Sequence, residues 1–326
     1  MLDNPQTPMA PWFLLSDHRL VALSGRDAVA FAHAQTMNDV AALADGEWHW
    51  NGWLTPKGRV IALFALLRLD TDTVWLVLPD ADADAFVAQL RRFVFRSKVT
   101  VTIRGDLRVT GRLQASDLAS GNHFVRDFST GHSTNISQEI IELDLSGDLG
   151  AGSPGRSLRI GPAVETPPDS IDTEHSDLKK SDAAQWRRAD LEHGWPRLDA
   201  SQAEQWTPQQ LSLERLRAYS VKKGCYPGQE IVARTHFLGQ AKRGLALVRS
   251  TASLAPGAEL LSAADTKVGT VVSTAGDIAL AVVSLDLLDA ALQTDESPAE
   301  SGASLNMSAW CMSAWCIQPL RNGLAR

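Results

Sequence analysis

The residues best suited to chemistry cluster between Lys222 and Arg234, where the sequence reads KKGCYPGQEIVAR. Cys225 follows two lysines and precedes a segment, Gly228 to Phe237, whose pattern predicts a short helix. The glycines and the proline favour a tight turn that exposes the backbone. Lysines and a helix N-terminus both favour the thiolate, which is the nucleophilic form of a cysteine. We therefore expect Cys225 to be a functional thiol, with a small buried apolar residue as the alternative.

This stretch has basic surroundings, although the chain as a whole is acidic. Residues 215–243 contain seven Lys or Arg and one acidic residue, whereas the whole chain has 31 Lys and Arg, 38 Asp and Glu and a formal net charge of −7. The basic residues form either a solvated face or a site for an anionic group. His236 lies eleven positions after Cys225, so a Cys–His nucleophile pair stays open as an alternative. The acidic balance argues against general nucleic-acid binding, and we expect no direct contact with nucleic acid.

Other familiar site patterns do not occur in the sequence. The three cysteines, Cys225, Cys311 and Cys316, lack the spacing of a zinc or iron–sulfur site, so we predict no metal site. There is no dinucleotide-binding or P-loop glycine motif. A chain with only three cysteines is typical of a reducing compartment. No apolar run reaches the roughly 20 residues of a membrane span. We therefore expect a cytoplasmic protein without a membrane partner.

Tryptophan is unusually frequent among the aromatic residues. Ten Trp stand against nine Phe and two Tyr, and several Trp lie close together in the sequence, such as Trp48, Trp50 and Trp53, or Trp186 and Trp195. Bulky aromatic side chains usually fill cores. A group of indoles can also form a flat wall for a planar ligand, and the sequence leaves both interpretations open.

Hydrophobic periodicity predicts an α+β domain at the start of the chain. Its predicted elements, in chain order, are strand Arg19–Leu23, helix Arg26–Asn38, strands Trp48–Leu54, Val60–Leu69 and Thr73–Leu78, helix Asp80–Arg92 and strand Lys98–Ile103. A turn, Thr55 to Gly58, separates the second and third strands. This order resembles a ferredoxin-like unit with one added strand.

The pattern is weaker after residue 107. The predicted elements are strands Arg108–Leu113 and Ile140–Leu145, an exposed loop over residues 165–177, helix Leu178–His193 and, after Gly244, strands Leu245–Val248, Lys267–Ser273 and Ile278–Leu285. The last three favour a small β-barrel or sandwich. We predict an α+β fold with domains at residues 1–106, 107–240 and 241–326. The duplicated MSAWC near the end is expected to be too short for a structural repeat.

The segment KGCYPGQE, Lys223 to Glu230, resembles the K-G-C-[YF]-x-G-Q-E signature of the YgfZ family, folate-binding relatives of the glycine-cleavage T-protein. The match continues through Arg234 and recurs in the turn PKGR, Pro56 to Arg59. It spans about residues 15–285. The resemblance implies a T-protein-like fold of ferredoxin-like α/β domains plus a small C-terminal β-barrel, arranged around a cavity for folate.

The resemblance also implies a function and a set of site residues. It implies a tetrahydrofolate-binding accessory protein for maturation or repair of Fe–S enzymes, including one that thiolates tRNA. By position, Cys225 matches the functional cysteine and Trp186 an aromatic residue in contact with folate, whereas the family's second aromatic position holds His18. We add four motif residues to the predicted folate site: Lys223, Gln229, Glu230 and Arg234. The two cationic ones, Lys223 and Arg234, suit the anionic glutamate tail.

A folate-dependent aminomethyl transferase is the alternative function. That reaction needs an acid or base near the folate amine, and the sequence marks none; Asp39 is the nearest candidate in the first helix. A cysteine in a glycine-rich turn favours the accessory function, with no classical catalytic turnover. We expect partners of two kinds, a folate and client Fe–S enzymes, and a monomeric protein.

Overall fold

The computed structural model describes residues 10–130, 137–147, 155–163, 173–239, 241–262, 264–287, 310–312, 315–318 and 320. These residues form three β-sheets in which every recorded strand pair is antiparallel, together with α-helices. The predicted α+β fold class is confirmed. No helix within the described residues combines the length and the apolar character that a membrane crossing needs.

The first sheet confirms the predicted order of strand, helix, three strands, helix and strand. After β1 (Phe13–Leu14), which belongs to the second sheet, the chain forms β2 (His18–Ser24), α1 (Ala28–Gln35), β3 (Glu47–Leu54), β4 (Val60–Asp70), β5 (Thr73–Pro79), α2 (Ala83–Arg91) and β6 (Thr100–Ile103). The strands lie in the order β3-β4-β5-β2-β6. This order is the ferredoxin-like one with β3 added at an edge.

Both faces of the first sheet are covered, which explains its near-continuous apolar strands. In β2, Val21 and Leu23 pack with apolar residues of α1 and α2. Leu20 and Ala22, which alternate with them, join the core shared with the rest of the molecule. The sheet is therefore a layer between its own helices and the central core.

The second sheet contains β1 and four later strands. These are β7 (Leu107–Arg112), β8 (Val125–Thr130), β9 (Ser137–Asp144) and β10 (Ser157–Pro162), in the order β1-β7-β10-β9-β8. Helix α3 (Thr173–Glu192) follows, and Gly194 with φ of +68° ends it as predicted. The predicted loop over residues 165–177 is wrong from Thr173 onward. Its acidic residues suit the positive end of a helix dipole, and residues 164–172 lie outside the described residues.

The third sheet follows α4 (Gln229–Leu238). Its strands are β11 (Arg243–Ser250), β12 (Glu259–Leu261), β13 (Lys267–Ala275), β14 (Ile278–Ser284), β15 (Trp310–Met312) and β16 (Trp315–Gln318), in the order β12-β13-β14-β11-β16-β15. β15 takes Trp310 and Cys311 from the first MSAWC copy and Met312 from the second, and β16 takes Trp315 and Cys316 from the second copy. The two strands pair with Cys311 opposite Cys316.

The three sheets meet at one core. Apolar residues from β2 to β5, from β7, β9 and β10, from α3 and from β11, β13 and β14 belong to a single contiguous cluster. The domain boundaries at residues 106 and 240 stay a prediction. What matters for the site is that parts of the chain far apart in sequence converge at this junction.

Candidate functional site

A small cavity of about 20 Å³ lies at the junction of the first two sheets and α3. Indole rings form much of its wall, so we name it the tryptophan cavity. Its aromatic and charged lining residues are His18, Trp50, Trp186, Asp190 and Trp195. A second space of about 10 Å³ shares Trp50 and Trp195 as walls.

The indoles are held in fixed orientations. The ring centroids of Trp50 and Trp195 are 4.1 Å apart with an interplanar angle of 32°. Trp186 meets Phe13 edge-on at 6.1 Å, and the guanidinium carbon of Arg156 lies 5.2 Å from its ring. Gly111 permits this arrangement, because a Cβ on Gly111 would lie only 2.7 Å from the Trp186 ring. The result is a rigid set of flat apolar surfaces, which suits a planar ligand.

Trp186 also carries an unused hydrogen-bond donor. Its indole Nε1 is buried and has no hydrogen-bond partner among the described residues. A buried N–H without a partner is costly unless a ligand or water accepts from it. A heteroaromatic ring with nitrogen and carbonyl acceptors would satisfy this donor, but the walls would have to move apart to admit it, because the cavity has room for about one water molecule.

The carboxylate on the cavity wall, Asp190, belongs to a buried ion-pair network. It pairs with Arg156 and, at 2.8 Å, with Arg197. Arg197 is fully buried and also pairs with Asp80 and Asp17. Burial alone would raise the pKa of Asp190, but the charges of Arg156 and Arg197 outweigh burial and hold the pKa below its usual value. Asp190 is therefore ionised and fully engaged.

The cysteine motif is anchored on α1 by a buried lysine. The Lys223 Nζ donates to the carbonyl oxygens of His33, Thr36 (2.6 Å) and Asn38 (3.1 Å) at the end of that helix. Cationic side chains are favourable at a helix C-terminus, where carbonyls lack helical partners. Burial, partly offset by Asp39, lowers the pKa of Lys223 to about 8. The ammonium of Lys223 is thus occupied by α1.

The motif also packs against the PKGR turn. A Cβ on Gly228, whose φ is +79°, would lie 2.5 Å from the carbonyl oxygen of Thr55 and 2.7 Å from the Cα of Gly58. A Cβ on Gly58 would lie 2.9 Å from the Cβ of Ile231. The two segments that most resemble the YgfZ signature therefore touch backbone to backbone, which only glycine permits.

This packing presents Cys225 at the surface. Cys225 is exposed and free, in the turn that precedes α4, and the Gln229 Nε2 closes the turn by donating to the Lys223 carbonyl at 3.0 Å. His236 packs edge-on against Phe237 and forms no hydrogen bond with Cys225 in the described part of the chain. The geometry therefore does not support the Cys–His pair.

Comparison with known proteins gives concordant matches. A family model described as the CAF17 C-terminal β-barrel domain matches residues 240–309. The tRNA-modifying protein YgfZ of Klebsiella pneumoniae is 28% identical over 245 residues, which are 74% of this chain and 72% of that protein. YgfZ of Cronobacter sakazakii is 29% identical over 234 residues, 71% and 68% of the two chains. The chain is similar to YgfZ proteins over most of its length.

The resemblance predicted from the cysteine motif is thereby confirmed. The solved structure of glycine cleavage system aminomethyltransferase T from Bartonella henselae shares the fold, with a TM-score of 0.60 at 17% identity over 86% of this chain and 79% of that one. The predicted T-protein-like fold with a C-terminal barrel is therefore also confirmed.

The YgfZ-like chain brings together the two positions that the resemblance assigned to folate contact. His18 and Trp186 are far apart in the sequence, yet both line the tryptophan cavity. The motif residues assigned to the folate site are not among its lining residues: Lys223, Gln229, Glu230 and Arg234. Glu230 and Arg234 are exposed on α4. Their role in folate binding, like that of Trp186, stays a prediction.

Sequence analysis left Trp50 and Trp195 open as either core or wall residues, and it missed the Asp190 network. One signal was available, because Trp48 and Trp50 are two positions apart and so lie on the same face of a strand. Their ring centroids are 5.0 Å apart, whereas Trp53 packs with Phe86 on the helix side of the sheet. The other carboxylates and the second arginine of the network, Asp17, Asp80 and Arg156, come from three distant segments, and no local pattern marks them.

Proposed function

We propose that the protein binds a reduced folate in the tryptophan cavity and acts as an accessory protein in the maturation or repair of Fe–S enzymes, with an effect on tRNA modification. The observation that carries the proposal is the convergence of His18 and Trp186, 168 positions apart, on one cavity wall. The resemblance alone assigns both positions to folate contact, and it does so without reference to their spatial proximity.

The chemistry of the cavity supports a pterin ring. Its walls are flat indoles, and the buried Trp186 N–H lacks an acceptor among the described residues. The cavity measures about 20 Å³, which is room for about one water molecule, so its walls would have to move apart to admit the ring.

An exposed thiol supports the accessory role. Cys225 sits in a turn that Lys223, Gln229 and Gly228 hold in place, and it is accessible to a second protein. A buried structural cysteine would need no such framework. The relatives' name, tRNA-modifying protein, agrees with a client enzyme that acts on tRNA.

The fold shared with an aminomethyltransferase favours the second candidate, a one-carbon transferase. Such a reaction needs a group that can exchange a proton at the folate amine. The carboxylate that lines the cavity, Asp190, is held ionised by two arginines. A carboxylate with a lowered pKa is a weak base, which argues for the accessory function.

Folate binding is tested by titrating the protein with 5-formyltetrahydrofolate, a stable reduced folate, while tryptophan fluorescence is followed. We expect quenching in the wild type. Trp186→Ala should weaken binding by roughly 1–3 kcal/mol if the ring stacks on the ligand, and Trp186→Phe should retain part of the affinity. Trp53→Phe, which removes an indole outside the cavity, is the matched control. An unchanged affinity in both Trp186 variants would remove this residue from the site.

The role of Cys225 is tested in a strain that lacks its own YgfZ-like protein. We expect Cys225→Ser to fold normally and to fail to restore tRNA thiolation by the Fe–S enzyme, whereas Cys311→Ser should restore it. Full complementation by Cys225→Ser would contradict the proposal. Repeated formation of methylenetetrahydrofolate from an aminomethyl carrier by the purified protein would instead establish the transferase.

A further inference from the structure

Two cysteines lie directly opposite each other at one edge of the third sheet. Strand β15 pairs antiparallel with β16, and the register places Cys311 opposite Cys316. Strand β16 in turn pairs with β11, where Cys316 lies opposite Arg249. Among the described strands, β15 is therefore the edge strand, and β16 separates it from the rest of the sheet. We name Cys311 and Cys316 the cysteine pair.

The register of the cysteine pair suits a disulfide. Directly opposite residues of antiparallel strands are on the same face of the sheet, with Cα atoms about 4.5 or 5.5 Å apart in the two kinds of pair. A disulfide joins residues whose Cα atoms are about 4.4–6.8 Å apart, so both kinds of pair meet this requirement. Successive residues of a strand alternate between faces, which places Met312 on the face opposite to that of Cys311.

A core residue fixes the register of β16. Ile317, which follows Cys316, is fully buried and belongs to the apolar cluster of the third sheet, together with Val248 and Ala279. It lies opposite Val248 of β11. A slip by one residue would move Ile317 out of this cluster to the other face, so the register is strongly specified. The cysteine pair is on the face of the sheet opposite to that of Ile317.

The MSAWC duplication is what supplies two cysteines at this edge. Cys311 ends the first copy and Cys316 ends the second, so the two cysteines are five positions apart. Strand β15 ends at Met312 and β16 begins at Trp315, and this short connection brings the two cysteines to opposite positions. A single copy would supply one thiol and no partner for it in the neighbouring strand.

We propose that the cysteine pair is a redox-active dithiol, which a small-molecule disulfide such as oxidised glutathione converts into an internal disulfide. One cysteine thiolate attacks a sulfur of oxidised glutathione, so that a mixed disulfide forms and one reduced glutathione leaves. The second cysteine loses its proton, and its sulfur displaces the other glutathione. Two thiols and one oxidised glutathione thus give one protein disulfide and two reduced glutathiones, with two electrons passing to glutathione. This inference does not depend on the proposed function.

The disulfide would secure the edge of the third sheet. It closes a ring over residues 311–316 and so removes conformations that this segment has in the unfolded chain. An edge strand has a pairing neighbour on one side only, so a covalent bond to β16 adds to the few contacts that hold β15. The folded state must favour the disulfide by the same factor by which the disulfide favours the folded state. This factor is about 10- to 40-fold for so short a ring.

The test uses the full chain with Cys225→Ser, so that the cysteine pair holds the only thiols. Folded protein, and the same protein in concentrated urea, are equilibrated with mixtures of reduced and oxidised glutathione. Remaining thiols are blocked with N-ethylmaleimide, and the products are identified by mass. We expect the folded protein to lose two hydrogens and to carry no glutathione. The equilibrium constant for disulfide formation should be about 10- to 40-fold larger in the folded protein than in urea.

Cys311→Ser/Met312→Cys in the same background is the matched control. It keeps two thiols but places them on opposite faces of the sheet, so the folded variant should carry glutathione adducts and no internal disulfide. The inference is overturned if the folded cysteine pair gives only adducts or intermolecular disulfides, or does not react. It is also overturned if the equilibrium constant is the same in urea, or if the folded control forms the internal disulfide equally well. Should the control not fold, the comparison with urea still decides.

Discussion

Replacing Lys223 by Met should show how much the buried ammonium of the cysteine motif contributes to the free energy of unfolding. Methionine is close in size and apolar, but it cannot donate hydrogen bonds. At pH 7 the wild type gains three charge-assisted hydrogen bonds to His33, Thr36 and Asn38, each worth roughly 1.5–3 kcal/mol. The loss of solvation by the ammonium opposes them. We expect Lys223→Met to lower the free energy of unfolding by about 2 kcal/mol at pH 7.

The pH dependence of that difference is the sharper test. Burial lowers the pKa of Lys223 from 10.5 to about 8 in the native state. Between these values the unfolded chain binds more protons than the native one, so this group makes the protein more stable as pH rises. From pH 7 to pH 9.5 this group raises the free energy of unfolding of the wild type by about 2 kcal/mol. The Met variant lacks this increase, so the difference in free energy of unfolding between wild type and variant should widen to about 4 kcal/mol.

Three titratable groups near Lys223 keep the same charge from pH 7 to pH 9.5 and so do not contribute to this difference. Burial, with the nearby charge of Lys223, lowers the pKa of His49 to about 3. Burial, again with Lys223, lowers the pKa of His33, and burial raises the pKa of Tyr226 to about 12. None of the three changes charge between pH 7 and pH 9.5.

Urea unfolding at several pH values in this window, followed by tryptophan fluorescence, measures the effect. Lys222→Met is the matched control, since Lys222 is exposed and its replacement should change stability by less than about 0.5 kcal/mol at every pH. A difference between wild type and Lys223→Met that stays constant from pH 7 to pH 9.5 would refute the reasoning, because Lys223 would then titrate as it does in the unfolded chain.

Two further substitutions test the framework by urea unfolding. Gly228→Ala should destabilise the protein by about 2–4 kcal/mol, because its φ is +79° and a Cβ would collide with the Thr55 carbonyl. Gly224→Ala is the control and should change stability little, because a Cβ there meets nothing within 4 Å. Equal losses of stability in the two variants would contradict this account. Arg197→Met should cost about 3–5 kcal/mol at pH 7 by leaving buried carboxylates unpaired. Because the folded pKa of Asp190 is lowered, that cost should shrink as the pH falls below about 4, and a cost that grows would count against the network.

The first domain could be predicted from the sequence because its strands are long and apolar and its helices begin at clear signals. Asp82, for example, accepts a hydrogen bond from the Ala85 N–H at the start of α2, as an N-cap residue does. The start of α3 at Thr173 could not, because the prolines and acids before it are typical of loops. Local composition does not reveal whether a polar segment is helical.

The site was predictable only in part, for a similar reason. The motif at Cys225 is local, and its glycines and its exposed cysteine could be interpreted directly. The tryptophan cavity is formed by segments that lie more than a hundred residues apart, and only the resemblance linked His18 to Trp186.

A continuous set of hydrogen bonds joins the wall of the tryptophan cavity to the cysteine turn. The Asn38 Nδ2 donates to the carbonyl oxygen of Trp50 at 2.9 Å, and the Asn38 carbonyl accepts from the Lys223 Nζ at 3.1 Å. The Lys223 carbonyl in turn accepts from the Gln229 side chain, which closes the turn around Cys225. Buried and mutually satisfied polar groups of this kind rigidify a structure. Lys223 therefore fixes an exposed thiol relative to a cavity whose walls it does not line.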